Sequence, residues 1–296
     1  MELKKLLMVV NPAAGRHKSK EPLYYASTIL SEAGYLLHIR NTSGPGNARD
    51  LVTEKGEQYD LVVAVGGDGT LNETVNGLMA LEHRPLLGYI PQGSTNDFAS
   101  SLRIPRHPIT AAVSMTRLFS PRALDIGRWN DRHFLYVASF GAFTRSSYAA
   151  PQAAKNALGH LAYILEGMKD LNTLRPYRIK LTADGEVLDG EYLFGAVCNS
   201  TSIGGLMKLD PQRVVLDDGK FELLLIPNPK TPAALQNLVK ALLSQEYDSQ
   251  GLVFRHVSSI RLETEKELPW SLDGEFTPSA PVVEIQNCQQ ALTMLL

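Results

Sequence analysis

Cysteine is scarce: Cys198 and Cys288 are the only two in 296 residues. They stand ninety positions apart among apolar neighbours, so there is no disulfide framework and no CxxC pair for a metal or redox site. Such usage fits a reducing, cytoplasmic setting. Neither charge is in excess, with 29 lysines and arginines against 31 aspartates and glutamates for a net −2. The bulk balance therefore offers nothing to a nucleic-acid partner. Long apolar runs are missing as well. None nears the roughly 18 residues of a membrane span, and Leu6 to Val10, cut off by Asn11 and Pro12, is too short for a secretory signal. Any encounter with a membrane is expected at its surface. The seven histidines form no His-Glu-x-x-His pattern and no Gly-x-Ser-x-Gly elbow occurs, which leaves zinc and serine hydrolases without support.

What is present is a chain long enough for two cores, since single cores stop growing near about 250 residues. Through residues 1–122, short β-rich runs alternate with helical patterns, the signature of βαβ units on a parallel sheet. The runs Leu6 to Val10, Leu61 to Val65 and Leu86 to Ile90 are continuously apolar, as strands buried on both faces are. Beyond residues 121–123 the pattern changes to hairpins at Phe134 to Ser139, Tyr177 to Leu181, Tyr192 to Asn199 and Phe221 to Ile226. Two helices interrupt them: Ala153 to Asn172, and Pro232 to Gln245 with Thr231 as its N-cap. The expected fold class is α/β: a Rossmann-like parallel-sheet nucleotide domain over 1–122, then a β-rich, sandwich-like domain with inserted helices over 123–296. Whether the tail 288–296 returns to the first domain stays open.

Each of the three apolar runs ends in a polar, glycine-bearing loop, and in a parallel sheet these loops share one rim, where open α/β folds bind ligands. The second loop, Gly66-Gly-Asp-Gly-Thr70-Leu-Asn-Glu73, joins a buried strand to a helix start. Its glycines admit an anion to the main chain and the helix dipole favours one, so a nucleotide phosphate site is expected; a plain tight turn is the other reading. Neither the P-loop nor the dinucleotide spacing fits. Asp68 would repel a phosphate unless a divalent cation intervened, which implies Mg2+. Thr70 with Glu73, and Ser94 with Asp97 in the third loop, are spaced as capping boxes. Asp97 either caps its helix or handles metal or hydroxyl. Arg16 and Lys18 bring cations beside the same rim. A stripe of leucines and Met168 on the helix Ala153 to Asn172 fits core packing better than bilayer contact.

Taken in order, Asn11-Pro-x-x-Gly15, Gly66-Gly-Asp-Gly-Thr70-x-Asn-Glu73 and Gly93-Ser-Thr-Asn-Asp-Phe98 resemble the soluble bacterial diacylglycerol kinase and lipid kinase family, to which sphingosine and ceramide kinases are related. Leu124-Asp-Ile-Gly127, Asn199 to Gly205, Asp217-Asp-Gly219 and Leu272-Asp-Gly-Glu275 extend the resemblance over nearly the whole chain. The resemblance implies an ATP- and Mg2+-dependent kinase acting on a lipid hydroxyl at the inner membrane face, with diacylglycerol converted to phosphatidic acid. It implies ATP between the domains, with Asn11, Thr42, Gly66, Gly67, Asp68, Gly69, Thr70, Leu71, Asn72 and Ser94 around the nucleotide. Ser94 stands where the family usually has threonine, and the hydroxyl is kept. Mg2+ is implied at the Asp218 carboxylate and the main-chain carbonyls of Val215 and Lys220. Of three Asp-Gly-Glu copies, at Asp184, Asp189 and Asp273, the resemblance selects Glu275 as the general base, and it implies that Asp68 joins the Mg2+ through water; Asp68 and Asp97 are further catalytic candidates, and the first two copies read as hairpin turns. A homodimer is a further implication. The rivals are an NAD kinase, which shares a Gly-Gly-Asp-Gly loop, and a nucleotide- or lipid-binding regulator without turnover, against which Asp68, Asp97 and Glu275 argue.

Overall fold

A computed structural model describes residues 4–14, 21–94, 96–141, 175–203, 207–209, 214–244, 251–278 and 280–296. The basic residues Arg16 and Lys18 and the helix expected over Ala153 to Asn172 lie outside the described residues. The chain divides into two units, Met1–Ile126 with Gln289–Leu296, and Gly127–Cys288. The division thus falls between Ile126 and Gly127 rather than at 121–123, and the last eight residues belong to the first unit.

In the first unit the order is β1 (Lys4–Val10), α1 (Glu21–Glu32), β2 (Tyr35–Asn41), α2 (Asn47–Lys55), β3 (Leu61–Gly66), α3 (Asp68–Met79), β4 (Leu86–Pro91), α4 (Asp97–Ser101) and α5 (Pro108–Arg117). The sheet runs β4-β3-β1-β2, all parallel. All six residues of β3 are buried, as the apolar run Leu61 to Val65 requires of a strand covered on both faces. Leu6, Met8, Val10, Val63, Val65 and Ile90 fill the core against Ala26 and Leu30 of α1 and Ala111 of α5.

The second unit takes in the end of β5 (Pro121–Trp129), then β6 (Arg132–Phe134), β7 (Val137–Gly141), β8 (Tyr177–Ala183), β9 (Glu186–Cys198), the two-residue strands β10 (Ser202–Ile203) and β11 (Met207–Lys208), β12 (Phe221–Pro227), α6 (Pro232–Ser244), β13 (Val253–Val257), β14 (Ser259–Thr264), β15 (Trp270–Leu272), β16 (Glu275–Thr277) and the first half of β17 (Val282–Leu295). Thr231 Oγ1 accepts the Ala234 N–H at 3.1 Å ahead of Pro232, the start expected for α6. Its core centres on Trp129, Phe134, Phe140, Phe221 and Trp270.

Two expectations fail here for local reasons. The single run Phe134 to Ser139 is split into β6 and β7, because the amides of Leu135, Tyr136 and Val137 all donate to the Asp273 carboxylate, at 2.7, 3.0 and 3.1 Å. The Asp189 copy of Asp-Gly-Glu is not a turn: Asp189 and Gly190 lie inside β9, opposite Lys180 and Ile179 of β8. The reversal is at Asp184 (φ +44°) and Gly185 (φ +91°), and once the chain has turned there the next five residues are committed to the ladder.

β17 closes the first unit after crossing the second. Its early part pairs with β14, Ile260 opposite Ile285. In its last residues Met294 lies beside Leu87 of β4 in parallel register, and Ser120 and Leu296 exchange main-chain hydrogen bonds of 3.0 and 3.1 Å.

Candidate active site

The carboxyl ends of β1, β2, β3 and β4 emerge on one rim of the first unit, and hydrogen bonds tie their loops together. The Asn11 N–H donates to Val65 O at 2.9 Å and its Nδ2 to Thr70 Oγ1 at 3.1 Å. The Thr42 N–H donates to Val10 O at 2.8 Å, and those of Gln92 and Gly93 to Gly66 O at 2.7 and 3.2 Å. Asn11, Thr42, Gly66 to Asn72 and the Ser94 loop therefore share this rim. At the contact of the second and third loops both partners are glycine, and a Cβ on Gly93 would stand 2.5 Å from the Gly67 Cα. Only two glycines allow main chains to approach so closely.

The helix caps differ from those expected. Glu73 does not reach back to its own helix; its carboxylate accepts the Gly46 and Ala48 N–H groups at 2.7 and 3.1 Å, at the start of α2. Thr70 lies inside the first turn of α3, buried. Ser94 is exposed and Asn96, in the left-handed region at φ +52°, precedes α4 without a side-chain cap. Asp68 does that work instead, accepting the Asp97 N–H at 3.1 Å and the Phe98 N–H at 3.4 Å. Both caps come from residues of α3. The start of α3 itself, at Gly67, has no side-chain cap, so its N–H groups and dipole are directed at the rim.

Asn96 and Tyr89 are site residues that motif spacing did not single out. Asn96 Oδ1 accepts the Gly93 N–H at 2.9 Å and its Nδ2 donates to Gly93 O at 2.8 Å, closing a ring around the third loop. The buried Tyr89 hydroxyl donates toward Gly66 O at 3.2 Å and meets Asn96 Oδ1 at 3.3 Å. The Asn-Asp pair was the available signal, since asparagine tolerates positive φ where β-branched residues do not.

Burial raises the Asp68 carboxyl above the usual range, opposed by the Asp97, Phe98 and Asn96 amides. Burial, then the Asp68 charge, pushes Asp97 up to about 6, with Arg106 pulling the other way. The folded value lies above the ordinary 3.8, so the proton is held more tightly in the folded chain. That contribution is complete below pH 3.8 and lost as pH rises through 6; at neutral pH ionised Asp97 costs about 3 kcal/mol. Asp97→Asn is therefore expected to raise the melting temperature at pH 7.5 by roughly 5 °C, by about half as much at pH 5 and hardly at all below pH 3.8. Calorimetry at these pH values checks this, and equal melting of variant and parent at pH 7.5 contradicts it.

The remaining candidates belong to the second unit. Val215, Asp218 and Lys220 are exposed on the turn before β12, where the Lys220 N–H donates to Asp218 Oδ1 at 2.9 Å and Gly219 has φ +80°. Among the described residues no three His, Cys, Asp or Glu side chains cluster as a metal site. A cation here would rest on one or two carboxylates with main-chain carbonyls and water, a donor set that suits Mg2+.

Glu275 opens β16, directly after a turn of Asp273 (φ +49°) and Gly274 (φ +87°), the primed geometry that matches strand twist. Asp273 is 2% exposed, and its three amide contacts fix that turn against the start of β7. The three Asp-Gly-Glu copies are now distinguishable. Glu186 is paired with Arg255 at 3.1 and 3.2 Å, and Glu191 with Lys230 and with Asn228 Nδ2. Glu275 is exposed, and among the described residues no cation pairs with it.

This architecture, a parallel-sheet unit with an open helix start and a β-rich second unit, recurs in known proteins. Residues 5–129 match the model of the diacylglycerol kinase catalytic domain. Residues 137–296 match that of the YegS C-terminal NAD kinase beta sandwich-like domain. A diacylglycerol kinase of Bacillus subtilis (strain 168) is 34% identical over 280 residues, 94% of this chain and 92% of that one. A diacylglycerol kinase of Staphylococcus aureus (strain MRSA252) is 31% identical, over 94% and 88% of the two chains. The crystal structure of a diacylglycerol kinase from Bacillus anthracis str. Sterne aligns with a TM-score of 0.75 at 27% identity, covering 100% of this chain and 97% of that one. A second from the same organism gives 0.81 at 28%, covering 100% and 98%. The chain belongs to the diacylglycerol kinase family and is a lipid kinase. Among its described residues no helix is long and apolar enough to cross a membrane.

Proposed function

We propose that the chain transfers the γ-phosphoryl group of ATP to a lipid hydroxyl, with Mg2+, and that diacylglycerol is the acceptor, giving phosphatidic acid. The observation that carries this reading is the unequal capping on the rim. Glu73 fills the start of α2 and Asp68 that of α4, while α3 begins at Gly67 with no side-chain cap. A polyphosphate therefore meets free N–H groups at α3 and carboxylates at its neighbours, which sets where it sits.

Asn11, Thr42, Gly66 to Asn72 and Ser94 hold the nucleotide. Asp218, with the carbonyls of Val215 and Lys220, holds Mg2+, which when bound offsets negative charge on the transferring phosphoryl group. Asp68 and Asp97 keep the third loop in register beside the nucleotide. Glu275 accepts the proton of the lipid hydroxyl as its oxygen bonds to the γ-phosphorus and the bond to the β-phosphate oxygen breaks. The product pair is phosphorylated lipid and ADP. The lipid is met at the surface of the cytoplasmic membrane leaflet, and no nucleic acid takes part.

Incubating the protein with γ-labelled ATP and micellar diacylglycerol, sphingosine, ceramide or phosphatidylglycerol, or with NAD, tests the reading. Label is expected in phosphatidic acid. Label in NAD alone, or in no acceptor from folded protein, overturns it; label in another lipid replaces the acceptor and keeps the reaction.

A further inference from the structure

Glu275 stands on a poor support if its strand is taken alone. β16 is three residues long, and among the described residues it pairs only with β15. A short edge strand frays, whereas a general base has to stay within hydrogen-bond reach of the proton it takes. The hairpin of β15 and β16 is held by two clasps, and both come from residues 132–137.

At the closed end, Asp273 Oδ2 accepts the Leu135 N–H at 2.7 Å, and Oδ1 those of Tyr136 and Val137 at 3.0 and 3.1 Å. Hydrogen bonds to an ionised acceptor are roughly twice as strong as neutral ones. The main chain of Asp273 is tied as well. Its N–H donates to Val137 O at 2.8 Å, and its carbonyl accepts the buried Tyr136 hydroxyl at 3.1 Å. At the open end, Arg132 Nη1 donates to the buried Thr277 Oγ1 at 2.9 Å. Glu275 lies between the clasps, opposite Leu272 and two positions from Thr277 on the same face of the strand. Its main chain is thus held on both sides while its carboxylate remains exposed.

We propose that Asp273 and Tyr136 are positioning residues for phosphoryl transfer. They fix the turn ahead of Glu275, so that the base is in place before the lipid hydroxyl arrives, and Arg132 steadies the far end of its strand through Thr277. The proposal rests on the reading that Glu275 is the base. Each of these residues acts through Glu275, so its effect on turnover exists only while that carboxylate is present.

The test is kcat and KM of the full-length protein with γ-labelled ATP, Mg2+ and micellar diacylglycerol, for single variants and for the same changes made together with Glu275→Gln. Asp273→Asn keeps the side-chain size, but turns one acceptor oxygen into an NH2 group facing an amide donor. It is expected to lose about 10- to 100-fold in kcat, with KM for ATP within about twofold. Combined with Glu275→Gln, it should cost less than about threefold more, because residues that act through one group are not additive. A loss of equal size in both backgrounds marks general damage to the fold and overturns the proposal, as does wild-type kcat from Asp273→Asn. Asp184→Asn alters the same motif at a copy whose glutamate is paired with Arg255, and should keep its kcat; an equal fall there also counts against the proposal. Should Asp273→Asn fail to fold, Tyr136→Phe removes the hydroxyl bonded to the Asp273 carbonyl. Its expected loss in kcat is about 3- to 10-fold, again absent beside Glu275→Gln, and an undiminished kcat overturns the proposal. Wild-type kcat from Glu275→Gln itself would end the reading of Glu275 as base, and the proposal would fall with that reading rather than alone.

Discussion

Asp68→Asn is expected to lower kcat/KM for ATP by about 10²- to 10³-fold, the scale seen when a single pre-placed polar group is lost from a phosphate or oxyanion site. Two effects combine. The Asp68 oxygens each accept one amide from the third loop, at 3.1 and 3.4 Å, and an asparagine has one acceptor oxygen for the two. The loop then loses its hold beside Gly67, where Gly93 already fits with no room for a Cβ. The variant also removes the only carboxylate in the first turn of α3. Stability is expected to shift by less than about 1 kcal/mol, because the weaker hydrogen bonds are offset by relief of a buried charge that Asp97 repels. Steady-state kinetics with a melting curve separates the two outcomes. Wild-type turnover from Asp68→Asn would remove Asp68 from the catalytic machinery.

Glu275→Gln is expected to lose about 10²- to 10⁴-fold in kcat, the usual range for a general base, with KM for ATP within about twofold. Glu186→Gln and Glu191→Gln are the controls and should keep more than half of the activity. Both are held by surface cations, Arg255 and Lys230, and such exposed pairs contribute only about 0–1 kcal/mol. Glu275, by contrast, follows a turn locked by a buried aspartate, so its main chain is placed and its carboxylate left accessible. Should activity fall at Glu186 instead, the base has been assigned to the wrong copy of the repeat.

How much of this was legible beforehand depends on how local each cause is. The strands β1, β3 and β4 announce themselves, because a parallel strand covered on both faces must be apolar throughout, and Leu61 to Val65 is. The glycine loops follow from them. The caps differ from those the spacing suggests because spacing cannot tell whether a carboxylate bends back to its own helix or across to another: Glu73 reaches α2, 25 and 27 residues away in sequence, and Asp68 reaches α4. The three Asp-Gly-Glu copies look alike as text. They differ in what the aspartate meets: Ser258 and Ser259 for Asp184, Arg178 for Asp189, and three consecutive amides for Asp273. Glu222 could not be singled out at all, since a lone glutamate in Phe221-Glu-Leu-Leu-Leu-Ile226 reads as the solvent face of a strand, yet it is 2% exposed.

The closure of the first unit by Gln289–Leu296 bears on how the polypeptide reaches its native state. Arg84 Nη1 donates to Ala291 O across 207 residues of sequence, and the Gln290 N–H donates to the wholly buried Asp125 carboxylate at 2.8 Å. During synthesis β1 to β4 leave the ribosome before β17, and β4 waits without its outer neighbour until every residue of Gly127–Cys288 has been translated. At about 5–20 residues per second, the interval is on the order of ten seconds. Through it, one flank of a hydrophobic parallel sheet is open to pairing with another nascent chain. Ribosome-proximal chaperones are thus expected to hold this polypeptide longest in that window, and moving residues 289–296 to the amino terminus by circular permutation would shorten it.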